Sequence, residues 1–284
     1  MAVTTARGTG GQLPLEGLRV VSLAVNLPGP LAAARLHELG ADVTKVEPPA
    51  GDPLEHYVPR WYVELAAGQR VVRLDLRSAD GRDGLEGLLA RSDLLLTSMR
   101  PSAAARLGLA GSVRRHRLAH VEIVGDDGDA EVPGHDLTYQ AAHGLLRPPD
   151  NPTVLVADTL GAERAVSAAL LAWGSVARGF EPPHLRVSLA EAAAAAGAAL
   201  RQGLTGPGGL LGGALPGYGI YATADGHVAV AALEPQFAAA LAEHVGRTRE
   251  ELTTAFAART TAQWEAVAAE HDLPLTGLRP PVGA

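Results

Sequence analysis

The sequence predicts an α/β protein, a mostly parallel, Rossmann-like sheet with flanking helices, followed by a smaller C-terminal α+β domain. Two observations predict the sheet: short apolar runs rich in Val, Ile and Leu recur along the first half, and most are followed by a Gly- or Pro-bearing turn and a helical pattern. A third predicts the division: the stretch TGPGGLLGGALPG carries too much glycine for a regular element and precedes a hairpin pattern. The expected boundaries are a large α/β domain over 1–204, a Gly-rich linker over 205–217 and a small domain over 218–284.

The first strand is expected in LRVVSLAV (18–25), with NLPGP as the turn and LAAARLHELG as the helix, closed by Gly40. ADVTKVE (41–47) gives a second strand, broken by PPAGDP. RVVRLDL (70–76), DLLLTSM (93–99) and HVEIVG (120–125) are further strands. Between them lie a helix capped by Ser78 and a short one opening at Pro101. Beyond residue 130 the texture is helical in HDLTYQAAHGLL and GAERAVSAALLAWGSVARG. LRVSL (185–189) is one more strand before the Ala-rich helix over 189–200. In the small domain, YGIYATADGHVAVAAL is a hairpin turning at Asp225-Gly226, followed by helices over 235–245 and 261–270.

Composition narrows the function. Apolar residues make up 47% and charged residues 19% of 284 residues, enough for a large core. The net charge of −7 provides no field for a polyanion, so nucleic acid is not an expected partner. Cysteine is absent, which removes disulfides and thiolate chemistry together. The N-terminus lacks the apolar core of a signal peptide, and the Ala-rich stretch is too short to span a bilayer. A cytoplasmic protein with no membrane partner is the expectation.

Several residues carry candidate chemistry. Pro28, Gly29 and Pro30 fix the chain where a helix N-terminus meets the first strand, so NLPGP is either a packing turn or an anion site. GxGxxG is absent there, which disfavours a standard dinucleotide site. Asp158 follows the β-favouring run VLV; it lies at the C-terminal end of a strand or caps a helix starting near Gly161. His135 either begins a helix or serves as an imidazole for acid/base work. Glu234 precedes Pro235 and either stabilises a first helical turn or has a task. Lys45 and Arg100 follow apolar runs and are candidate phosphate contacts. The spacing of His143, His227, His244 and His271 is not zinc-like.

The segment PLEGLRVVSLAVNLPGPLAAARLHELGADVTKVEPPAGDP resembles the opening of the family III CoA-transferases (CaiB/BaiF type). The likeness continues through RVVRLDLRSADGRDGLEGLLARSDLLLTSMRPSAAARLGL, with the family's RP dipeptide at Arg100-Pro101. PGHDLTYQAAHGLL, LVADTLG and DGHVAVAALEPQF lean toward the 2-methylacyl-CoA racemase branch. The resemblance implies an enzyme acting on an acyl-CoA, with His135 and Asp158 as two acid/base groups and Glu234 assisting. It also implies that Pro28, Gly29, Pro30, Leu31, Lys45, Glu47 and Arg100 line the CoA site, and that backbone amides near Gly134 or Gly161 face the enolate. No metal or cofactor is implied; coenzyme A enters as part of the substrate.

Two alternatives accompany the racemase expectation. In a CoA transferase Asp158 attacks the thioester and forms an anhydride. A non-catalytic CoA-binding or interaction protein is suggested by three departures from the family pattern: the short loop DDGDAEVP, ELAAGQR in place of a basic stretch, and an end at LPLTGLRPPVGA. Relatives return to the large domain after that point, so a homodimer that is not fully interlocked is expected.

Overall fold

A computed structural model describes residues 13–279, which divide into two compact units between Gly197 and Ala198. The first unit runs β1 (Arg19–Ser22), α1 (Pro28–Glu38), β2 (Asp42–Glu47), α2 (Pro53–Tyr57), α3 (Pro59–Ala66) and β3 (Arg70–Arg73). It continues through α4 (Ala79–Leu89), β4 (Leu94–Thr97), α5 (Pro101–Arg106), α6 (Leu109–His116) and β5 (Ala119–Val124). It ends with α7 (Asp136–Ala142), α8 (Val156–Ala177), β6 (His184–Ser188) and α9 (Leu189–Ala196).

The six strands are parallel in the order β3-β2-β1-β4-β5-β6. All residues of β4 and β5 are buried, as expected for central strands covered on both faces. One face carries Val20, Val43, Leu94, Leu96, Val121 and Ile123 against α1 and α8. The opposite face carries Val21, Val46 and Leu95 against Leu85 and Leu89 of α4 and Leu109 of α6. The first face is built from small residues. Ala32 and Ala33 of α1 share a core with Ala165, Ala169 and Ala172 of α8, so the low aromatic content reflects helices packed closely without large side chains.

The strand order reverses between β1 and β4. In open α/β sheets such a reversal opens a crevice at the carboxyl ends of the strands, because the connections leave on opposite faces.

The second unit contains α10 (Ala198–Arg201), a π-helical turn at Leu210–Ala214, and strands β7 (Tyr218–Ala222) and β8 (His227–Ala231). Helices α11 (Pro235–His244), α12 (Arg249–Ala257) and α13 (Thr261–Glu270) precede β9 (Leu275–Gly277). The three strands form an antiparallel sheet. Its core centres on Phe256, with the Tyr221 and Trp264 rings at 5.1 and 4.9 Å between centroids. The stretch 205–217 lies within this unit.

Several sequence expectations change. NLPGP is not a turn ahead of a helix: Pro28, Gly29 and Pro30 form the first turn of α1, where proline has no N–H to satisfy. The reversal instead sits at Asn26, whose φ is +67°. Gly29 is required by proximity, since a Cβ there would collide with Ala24 Cβ. The run VLV forms no strand; α8 begins at Val156. The Ala-rich helix breaks at Gly197. Helices α2, α3, α6 and α12 and strand β9 go beyond the elements expected from sequence. Of these, α12 bears a readable signature: Thr248 and Glu251 form a reciprocal capping box.

Candidate active site

The loops leaving β1, β4 and β5 enclose a pocket of about 250 Å³ at the reversal point. Its walls include Val25, Asn26 and Pro28 after β1, Ser98, Met99 and Arg100 after β4, and Val124 and Gly125 at the end of β5. Gly134, His135, Tyr139 and Asp158 complete it. Thus His135 and Asp158, predicted from sequence, line one cavity in the first unit.

Each stands at the head of a helix. His135 is exposed and occupies the N-cap position of α7, where its backbone N–H donates to Thr138 Oγ1 at 3.0 Å. Asp158 lies in the first turn of α8, so it is neither a strand terminus nor a cap for a helix starting near Gly161. Gly161 belongs to the second turn and packs on Leu189, which assigns its amide to the helix ladder.

The residue before α8 is Leu155, whose side chain has no oxygen with which to cap a helix. The cap comes from another helix: Asp136 Oδ2 accepts the backbone N–H of Asp158 at 3.0 Å. Gln140, one turn along α7, donates to Asp136 Oδ1 and also to the Val154 carbonyl at 2.9 Å. Asp136 and Gln140 are both buried. They tie the N-terminus of α7 to that of α8 and thereby fix His135 and Asp158 as one constellation.

The electrostatics of Asp158 depart from a surface carboxylate. Burial pushes its pKa up to about 7, and the charge of Asp136 adds to the effect. A helix N-terminus favours an anion; here burial wins. Tyr139 is raised as well, by burial first and then by Asp158 and Asp126. Its hydroxyl fits against two glycines: a Cβ at either Gly125 or Gly134 would collide with it.

Arg100 and Pro28 line the pocket, whereas Gly29 and Pro30 are buried in α1 and Leu31 is half-buried. Lys45 is 2% exposed and its ammonium lies 2.5 Å from Glu47 Oε1 and 2.6 Å from Asp52 Oδ2. This corrects the expectation of a phosphate contact from Lys45: its charge already faces two carboxylates. Asp52 also accepts the backbone N–H groups of Asn26 and Leu54, each at 3.0 Å, so this cluster pins the β1 loop. Glu47 accepts from Tyr62 at 2.8 Å and borders a second, mostly apolar cavity of about 350 Å³ at the ends of β1 to β4. The two cavities share Val25, Ser98 and Met99 as walls. Glu234 stands exposed before Pro235 at the start of α11, in the second unit.

Sequence reasoning passes over Asp136, Tyr139, Gln140 and Ser98. For Asp136 and Gln140 a signal exists in DLTYQ: Asp and Gln four residues apart share a helix face.

The first unit is thus an α/β sheet whose reversal point carries a pocket lined by a raised carboxyl and an imidazole. Residues 15–284 match the model for CoA-transferase family III, and the chain belongs to that family. It is 30% identical to the alpha-methylacyl-CoA racemase of Mus musculus over 88% of this chain and 74% of that protein. Its identity to the Homo sapiens racemase is 31%, over 84% of this chain and 67% of that one. The succinyl-CoA–L-malate CoA-transferase alpha subunit of Chloroflexus aurantiacus is 38% identical over 37% of this chain and 27% of that protein. Among solved structures, Rv3272 of M. tuberculosis superposes with a TM-score of 0.82 at 21% identity, covering 95% of this chain and 85% of that one. That likeness is one of fold.

Proposed function

We propose that the protein is an acyl-CoA racemase or epimerase that moves the α-proton of a 2-methylacyl-CoA-like thioester between His135 and Asp158. The observation that carries this reading is the pairing of an imidazole with a carboxyl held up at about 7 in one cavity. A thioester α-proton is weakly acidic, and its removal needs a base whose pKa is near the working pH. An ordinary carboxylate, near 4, is a poor match.

In one direction Asp158 as carboxylate takes the C2 proton, and the C2–H electron pair passes into the enolate. His135 as imidazolium then delivers a proton to the opposite face, and the C2–H bond reforms with inverted configuration. Asp158 ends protonated and His135 neutral, the state that serves the reverse direction. The Tyr139 hydroxyl and the Gly134 amide are the donors proposed for the enolate oxygen. The shared wall between the two cavities suits a long ligand, with the thioester at Asp158 and the nucleotide end over the β2 and β3 termini near Arg77.

The test is incubation of single enantiomers of 2-methylacyl-CoA in deuterated water. Loss of optical purity with α-deuterium incorporation, abolished in Asp158→Asn, supports the proposal. Absence of α-exchange with thioesters shown to bind, together with CoA transfer to free acids, would make Asp158 a nucleophile and the enzyme a transferase.

A further inference from the structure

We propose that Asp136 is a positioning residue for Asp158: it fixes the first turn of α8 and sets an uncompensated negative charge against the Asp158 carboxyl. This deepens the proton-transfer reading and rests on it.

Three observations carry the inference. Asp136 is 3% exposed, yet its hydrogen bonds come from amides, the Asp158 backbone N–H and the Gln140 side chain. Asp136 lies against the first turn of α8 through the Asp158 N–H, and burial and the Asp136 charge act on the Asp158 carboxyl with no cation opposing them. The cap is also supplied in trans, since Leu155 cannot cap its own helix. A structural cap needs an acceptor oxygen and nothing more; serine or asparagine would serve. A carboxylate in that role adds repulsion toward Asp158, which favours the protonated form.

The surroundings of Asp158 hold other titratable groups, and their placement leaves Asp136 as the principal neighbour. From α7 come His135 and Tyr139, from the β4 loop Arg100, and from the β5 end Asp126, which acts on Tyr139. Asp136 is the charge that joins burial in raising Asp158.

Asp136→Asn keeps an oxygen for the Asp158 N–H and removes the charge. Asp136→Ser does the same with a smaller group, in case the amide introduced by the first variant opposes Gln140. Gln140→Ala is the structural control, loosening the same anchor while leaving the Asp136 charge in place. In each variant the pH dependence of α-deuterium incorporation is measured, for the enantiomer deprotonated by Asp158, alongside a ¹³C-carboxyl NMR titration of Asp158 that needs no substrate.

The expected result is that the acid limb and the NMR midpoint both move down by about one pH unit or more in the Asp136 variants, and stay in place in Gln140→Ala. An unmoved midpoint in the Asp136 variants, or an equal shift in Gln140→Ala, overturns the positioning role. Failure of the underlying reading looks different: exchange would survive in Asp158→Asn, whatever Asp136 does.

Discussion

Two acidic clusters sit at the carboxyl edge of the same sheet, and they are built in opposite ways. At the end of β2, Glu47 and Asp52 share the ammonium of Lys45, with all three side chains at 2% exposure or less. Between α7 and α8, Asp136 and Asp158 meet with amide donors and no ion-pair partner among the described residues. The first cluster pairs its carboxylates with an ammonium and orders a loop. The second leaves a carboxyl near its point of titration and faces a cavity. The comparison teaches that buried acid alone does not mark a site; the missing counter-charge does.

The largest effect that can break this comparison is on turnover. Asp158→Asn is expected to lower the proton-transfer rate about 10³-fold or more, and His135→Ala about 10²-fold, within the range for acid/base groups. Steady-state kinetics on purified variants with unchanged circular dichroism checks both. Equal and mild losses would place the chemistry elsewhere.

Stability should respond at the other cluster. Lys45→Met takes the ammonium from two buried carboxylates, leaving Glu47 the Arg73 guanidinium at 3.5 Å, and is expected to cost about 3–5 kcal/mol, read from urea unfolding. A loss under about 1 kcal/mol would mean that the cluster is not held by its lysine.

His120 sharpens the contrast from outside both clusters. It is stacked on His184 at 4.5 Å, bonded to Thr97 Oγ1 at 2.9 Å, and depressed to about 4 by burial and then by His184. A histidine with a lowered folded pKa binds fewer protons folded than unfolded, so its contribution is complete above about 6.5 and declines as pH falls toward 4. His120→Gln should flatten that decline by about 1–2 kcal/mol between those pH values while leaving turnover largely intact.

Asp158 has the reverse sign. Its raised pKa means the folded state binds its proton more tightly, so ionisation between about pH 4 and 7 weakens the fold. Asp158→Asn should therefore gain about 1–2 kcal/mol at about pH 8 relative to about pH 4, discounted for its partial exposure. Chemical denaturation at the two pH values reads the difference.

Much of this is legible in the sequence. Periodicity and turn residues locate the six parallel strands, and Ser78 reads as a cap that the Gly81 N–H confirms at 3.0 Å. The segments carrying His135 and Asp158 stand out by sequence. Their meeting in one pocket depends on Asp136 reaching across from α7 to α8, a tertiary bond that local patterns do not encode. The same limit hides the fate of Lys45: following an apolar run, it reads as a phosphate contact, while the two carboxylates that claim it are contributed by Glu47 and by Asp52 at the head of α2. VLV reads as a strand because three β-favouring residues outweigh one weak helix start, and an external cap reverses that balance.

The most direct test is the titration of Asp158 in the wild-type protein by ¹³C-carboxyl NMR, with its resonance assigned by loss in Asp158→Asn. A midpoint near 7 is the predicted result, a carboxyl poised to give and take a proton at neutral pH. A midpoint near 4 would contradict it and leave Asp158 an ordinary ionised carboxylate.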